Sequence, residues 1–192
     1  MAKLGQTPSQ TVGPYYTMKL KRIPLVGSDP VAGERIRVEG RVLDGDRNHI
    51  EDALIEIWQA NAAGRYRHPA DTRDDIELDP GFTGYGRFAV DFMTGRFAFE
   101  TIKPGQVPDP EGEMQAPHLS LVITSRGMLN HSYTRMYFAD EAEANAADLI
   151  LQKVPPERHH TIIAERDDTD DMPLYRFDIR FQGDDETVFF DV

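Results

Sequence analysis

The sequence predicts an all-β protein: an antiparallel β-sandwich with an extended N-terminal arm and about two short helices inserted before its final strands. Three observations lead there. Short runs with two-residue hydrophobic alternation recur along the chain, turn-forming residues separate them, and helical signals are confined to one late stretch. At 192 residues, 40% of them hydrophobic, one domain with a substantial core is expected.

Residues 1–34 carry Pro8, Gly13, Pro14, Pro24, Gly27 and Pro30 without a sustained period, so they read as an arm, with Tyr15 and Tyr16 offering aromatic surface to bury. The domain proper is expected over 35–192. Its first strand starts where Ile36, Val38, Gly40 and Val42 alternate with Arg35, Arg37, Glu39 and Arg41, and Asp44-Gly45-Asp46 then supplies a turn. Ala53 to Gln59 is the next strand. Phe88 to Phe92 and Arg96 to Glu100 read as a hairpin around Thr94-Gly95. His118 to Thr124 and Tyr133 to Phe138 follow, Tyr175, Phe177, Ile179 and Phe181 alternate near the end, and Thr187 to Phe190 is a last strand. The helical signals are Asp140 to Lys153, which opens with a capping Asp and early glutamates, and Glu157 to Glu165 after Pro155-Pro156.

Composition excludes several chemistries. The chain has no cysteine, which removes disulfides, thiolate metal sites, iron–sulfur clusters and cysteine nucleophiles. Its formal net charge of −12 disfavours phosphate backbones and anionic headgroups, so neither nucleic acid nor a membrane is expected as partner. The N-terminus lacks a signal-peptide apolar core and no run approaches a bilayer span, so a cytoplasmic protein is expected. No phosphate-binding glycine loop, nucleophile elbow or H-E-x-x-H pair is present.

What remains is chemistry based on His, Tyr, Arg and carboxylates. Tyr66 and His68 follow Gly64 just after a strand, where extended alternation sends both side chains the same way, as part of a hard-metal site or as loop packing. His118 shares a strand face with Ser120, Val122 and Thr124, one substitution short of a His-x-His clamp. His159 and His160 diverge by about 100° on a helix and read as surface residues. Arg126 stands at a turn, suited by its planar fork to a carboxylate or to a surface ion pair. The run Glu165, Asp167, Asp168, Asp170, Asp171 lacks the spacing of a calcium loop and reads as solvated.

Longer stretches carry a resemblance. Thr7-Pro-Ser-Gln-Thr-Val-Gly-Pro-Tyr15, Ile36 to Gly45, Ala53-Leu-Ile-Glu-Ile-Trp-Gln-Ala60, Gly64-Arg-Tyr66, Thr101-Ile-Lys-Pro-Gly105 and Ala116-Pro-His118 together resemble the intradiol ring-cleaving dioxygenases over nearly the whole chain. Asp140 to Ala146, Tyr175 to Gly183 and Glu186 to Asp191 resemble the family's alpha, non-iron subunits. Iron-binding members hold Fe(III) with two tyrosinates and two histidines. By that resemblance Tyr66 and His118 stand at two of these positions, while Val107 and Ser120 replace the second tyrosine and the second histidine. Gln115 and Asp109 replace a neighbouring arginine and tryptophan. Because ferric iron needs anionic oxygen donors, a vestigial pocket without metal is expected.

The resemblance further implies a larger hetero-oligomer with a homologous beta subunit that carries Fe(III). There Thr11, Gly13, Pro14 and Tyr15 would line the partner's substrate pocket, and Arg126 would approach the substrate carboxylate or order that pocket. The assembled enzyme would use O₂ to open protocatechuate between its two hydroxyl-bearing carbons, giving 3-carboxy-cis,cis-muconate. Two other readings stand beside it. One is a self-sufficient metalloenzyme built on Tyr66, His68, His118 and a carboxylate or His131; the other is a non-catalytic β-sandwich binding module.

Overall fold

The structure, a computed structural model, describes residues 20–27 and 30–191. Eleven strands follow one another: β1 (Arg35–Leu43), β2 (Leu54–Trp58), β3 (Tyr85–Ala89), β4 (Arg96–Ile102), β5 (Val107–Pro108), β6 (Met114–Gln115), β7 (His118–Thr124), β8 (Ser132–Phe138), β9 (Ile163–Asp167), β10 (Leu174–Arg176) and β11 (Ile179–Arg180). Nine form one sheet in the order β11-β1-β10-β9-β8-β7-β2-β3, with β4 on the other edge of β1; β5 and β6 pair as a separate ribbon.

The all-β class holds, but the sheet is mixed and not purely antiparallel. β1 runs parallel to β10 and β11, and β8 parallel to β9. A parallel neighbour needs a crossover, and the chain supplies one between Phe138 and Ile163. That crossover is less helical than its sequence predicts. Only Ala142–Ala147 is α-helix (α1), followed by 3₁₀ turns at Leu151–Lys153 and Pro156–Thr161. Asp148 breaks the first helix, because its buried carboxylate accepts the amides of Ile150 and Leu151 and so starts the next turn. The second expected helix fails because Ile163 to Asp167 joins the sheet beside β8.

The expected hairpin at Thr94-Gly95 is a corner. β3 pairs with β2 and β4 with β1, at opposite ends of the sheet path, and only the turn's own bonds link them, such as Asp91 N–H to Arg96 C=O at 2.7 Å. The sheet curls until these ends face each other, and the rings of Phe88 and Phe99 stack with centroids 5.0 Å apart. The alternating run near the C-terminus divides at Phe177 and Asp178, where the Asp178 carboxylate accepts the backbone amide and the guanidinium of Arg41. The expected last strand is reduced to one bridge between Tyr133 and Phe190.

The main core fills the inside of the curl with Ile36, Val38, Ile55, Ile57, Leu121, Ile123, Met136 and Phe138 among others. A smaller cluster of Ala116, Tyr137, Leu151, Val154 and Ile162 lies beneath the crossover. The described part of the arm packs along β3. Ile23 and Arg87 exchange two backbone bonds of 2.9 Å, and Leu25 is fully buried over Gly86, where any Cβ would meet its side chain. No helix among the described residues is long and apolar enough to cross a membrane.

Candidate functional site

Paired residues of an antiparallel ladder share a face. The registers of β2, β7 and β8 therefore set Trp58, Ser120 and Arg135 in one row, with His118 and Tyr137 in the next and Val122 and Tyr133 on the other side. The alternate residues, Ile57, Leu119, Leu121 and Met136, point into the main core. One face of the same strands thus carries the fold and the other carries the polar chemistry.

A loop brings Tyr66 over this face. Gly64 sits at φ +79°, with its missing Cβ only 1.9 Å from the Gln106 carbonyl oxygen, so the loops at 61–66 and 105–107 touch through backbone alone. Asn61 joins them further: its carbonyl accepts from Gly64 and Gly105, and its side chain accepts the Arg65 amide. Asp71 accepts the Tyr66 amide at 2.8 Å and is clamped by Arg73, whose hydrogen bonds hold the carboxylate down at about 2. The Tyr66 ring then stacks on Trp58, centroids 5.8 Å apart and 4° from parallel. Burial pushes its phenol pKa up, against the nearby Arg135 charge. A cleft of about 470 Å³ opens beside the stack, lined by Trp58, Tyr66, His68, Asp71, Arg73 and Pro108.

Below the cleft the groups are tightly bonded. His118 is 4% exposed, its Nδ1 lies 2.8 Å from the Ala116 carbonyl oxygen, and burial followed by the Arg135 charge lowers its pKa to about 4. The imidazole is therefore neutral at pH 7. Burial raises the Tyr137 phenol, which donates to Asp148 at 3.4 Å. Arg135 donates to Gln115 Oε1 at 2.7 Å and reaches the hydroxyls of Tyr133 and Tyr137 only at 3.4 Å. Ser120 Oγ lies 3.1 Å from the Tyr133 hydroxyl.

Of the residues singled out in the sequence, Tyr66, His118 and Ser120 come to this face. Val107 is buried in β5 and pairs with Gln115, one link from Arg135. His68 is exposed, edge-on to Trp58 at 6.1 Å, and His131 is exposed before β8. Arg126 lies past the far end of β7, roughly 20 Å of extended chain from Ser120, and pairs with Asp52 at 3.3 Å. Thr11, Gly13, Pro14 and Tyr15 lie outside the described residues. His159 is not a simple surface residue: its Nε2 bridges the carbonyls of Leu151 and Val154 and ties the crossover's turns together. Arg135, Tyr133, Tyr137 and Asp148 were not singled out from sequence. The available signal was an arginine at the centre of Tyr133-Thr-Arg-Met-Tyr137, a strand otherwise built for burial.

Residues 13–183 match the dioxygenase family profile. The chain belongs to that dioxygenase family. It is 45% identical to the protocatechuate 3,4-dioxygenase alpha chain of Burkholderia cepacia, over all of both chains. With the beta chain of that enzyme from the same organism it shares 38% identity, over 81% of this chain and 67% of the other. The 3-chlorocatechol 1,2-dioxygenase structure from Rhodococcus opacus 1CP superposes with a TM-score of 0.65 at 20% identity, covering 94% of this chain and 68% of that one, a likeness of fold.

The side chains of this dioxygenase-family chain do not fit ferric iron. Only Tyr66 and His118 retain donor types expected of an iron-binding member. Nδ1 of His118 faces the Ala116 carbonyl oxygen, which leaves Nε2 as its one free donor atom, so the two residues supply at most one phenol oxygen and one imidazole nitrogen. Val107 offers no donor, Ser120 a neutral hydroxyl, and the guanidinium of Arg135 adds a fixed positive charge where a trication would sit beside it. Among the described residues no three His, Asp or Glu side chains gather at metal-binding spacing.

Proposed function

We propose that this chain is the alpha, non-iron subunit of a hetero-oligomeric protocatechuate 3,4-dioxygenase, paired with a homologous beta subunit that holds Fe(III). The carrying observation is the agreement between a full-length match to an alpha chain and a pocket with Val107 and Ser120 where the resemblance puts two iron ligands, and Arg135 in register beside Ser120. Likeness to a beta chain of the same enzyme supports a homologous partner.

On this reading residues 1–34 are a partner-contacting arm and 35–192 the domain. The curled sheet is then a two-layer sandwich, which the Phe88–Phe99 contact supports. Thr11, Gly13, Pro14 and Tyr15 line the partner's pocket, and Arg126 approaches the substrate carboxylate or orders that pocket. Arg126 suits that task because it is half-exposed and held by a single carboxylate, Asp52. The partner's iron supplies the chemistry with O₂ that yields 3-carboxy-cis,cis-muconate; this chain supplies shape and orientation. A cytoplasmic location belongs to the same reading.

The test is to express this chain and an iron-bearing homologue separately and together, and to measure iron content and protocatechuate-dependent O₂ uptake. Expected are iron near zero in this chain alone and uptake only when the partner is present. One iron per chain with ring cleavage by this chain alone overturns the reading and favours a self-sufficient enzyme.

A further inference from the structure

Arg135 is half-buried and permanently charged, yet among the described residues no carboxylate comes within 4 Å of it. Its only short bond goes to a neutral amide, Gln115; its hydroxyl contacts are long, and its Nη2 makes no hydrogen bond to a described residue. Asp148 lies beyond Tyr137, which it bonds, and is already occupied by the amides of Ala116, Ile150 and Leu151. On the adjoining β2–β3 pair the usual solution is present, since Arg87 pairs with Glu56 at 2.7 Å. A half-desolvated guanidinium without a counterion is costly, and an anion that supplies two parallel acceptors relieves that cost.

The surroundings define which anion. Arg135 shares its row with Ser120 and Trp58, two strand spacings or about 10 Å across. Trp58 and Tyr66 stack into a flat aromatic wall, and the cleft of about 470 Å³ opens along it. A small planar ring with one carboxylate spans that geometry, with the acid on the Arg135 fork and the ring against the wall.

We propose that Trp58, Tyr66, Ser120 and Arg135 form a binding site on this chain for a small aromatic carboxylate. The site binds through a charge-assisted fork and a ring contact, and needs neither a metal nor a partner chain. It does not rest on the subunit assignment above.

Trp58 is the chain's single tryptophan, so its emission reports on the site directly. The probe is benzoate, titrated into the folded full-length chain. A saturable change in Trp58 emission is expected with benzoate and not with benzamide, which has the same ring and shape but no charge. Arg135→Gln weakens binding at least about tenfold, as loss of a charge-assisted fork implies, Arg135→Lys weakens it less, and Arg96→Gln on β4 leaves it unchanged. Equal binding of benzoate and benzamide, or no saturable change with benzoate, overturns the proposal on the wild-type chain without any variant. Equal benzoate affinity in folded Arg135→Gln also overturns it. Iron content and O₂ uptake do not enter, so this test and the subunit test fail separately.

Discussion

His118 makes the fold sensitive to acid in a defined window. Its ring is almost wholly buried, 5.8 Å from Tyr137, and burial first, then the charge of Arg135, hold its pKa at about 4 against an ordinary 6.5. Above pH 6.5 the imidazole is neutral in both folded and unfolded chains. Between 6.5 and 4 the unfolded chain takes up a proton that the folded chain refuses, so stability falls as pH falls; below 4 both are protonated and this contribution is flat. The loss is about 1 kcal/mol by pH 5.5 and about 3 kcal/mol by pH 4.5. Asp71, clamped by Arg73, and Asp167, held by Thr169 and Arg176, both sit at about 2. Their stabilisation, like that of the other lowered carboxylates such as Glu34, Glu56 and Asp140, is lost only as pH falls through the ordinary carboxylate range and below, so near pH 5.5 the loss is chiefly His118's and at pH 4.5 the difference from a non-titrating variant isolates it.

The assay is urea unfolding at pH 7.5, 6.5, 5.5 and 4.5, at one protein concentration, for the wild type and His118→Asn. The asparagine amide keeps a donor for the Ala116 carbonyl and cannot titrate. The wild type should lose stability across the series and the variant should show about 3 kcal/mol less loss by pH 4.5. Parallel profiles, or an imidazole whose proton resonances titrate near 6.5 in the folded chain, would refute the reasoning.

Two further outcomes follow from buried geometry. Thr101→Val removes the hydroxyl that donates to Gln59 Oε1 at 2.6 Å while the Gln59 amide stays fixed by the Ile102 carbonyl, so a buried acceptor is stranded; the cost is about 2 kcal/mol and a Tm fall of roughly 4–8 °C by calorimetry. An unchanged Tm would mean that Gln59 finds another partner. Gly64→Ala drives a methyl into the Gln106 carbonyl at a φ that disfavours side chains. It should cost roughly 1–3 kcal/mol and alter Trp58 emission as the Tyr66 stack loosens, and an unaltered emission spectrum would separate the loop contact from the stack.

The strands were legible because two-residue alternation reports a half-buried face directly. Ile36 to Val42 and His118 to Thr124 became β1 and β7 almost to the residue. Pairing was not legible, because Phe88 and Phe99 alternate identically whether their strands bond to each other or meet face to face across the core. The crossover misled for a different reason. Its helix-forming alanines are local, whereas the Asp148 caps and the pull of β8 on Ile163 and Ala164 are tertiary. In the site, Tyr66, His118 and Ser120 were readable from spacing and resemblance. Arg135 was not, because an arginine in a strand normally points to solvent, and only the register shows that this one shares a face with Ser120 and with Trp58, on which Tyr66 stacks.

That register also fixes where the charge of this face lies. Arg135 carries a fixed positive charge, while burial raises the phenols of Tyr66 and Tyr137 and lowers the imidazole of His118, so all three are neutral at pH 7. The face therefore carries the uncompensated charge of Arg135. Ser120 puts only a small hydroxyl next to that guanidinium, and Val107 is apolar and buried. A pocket with nothing to receive is most stable when it collapses into apolar packing or fills with paired ions. This one retains an unpaired cation, an aromatic wall and an open cleft, the combination that recognises an anion and one that buries charge without compensation if no anion ever comes.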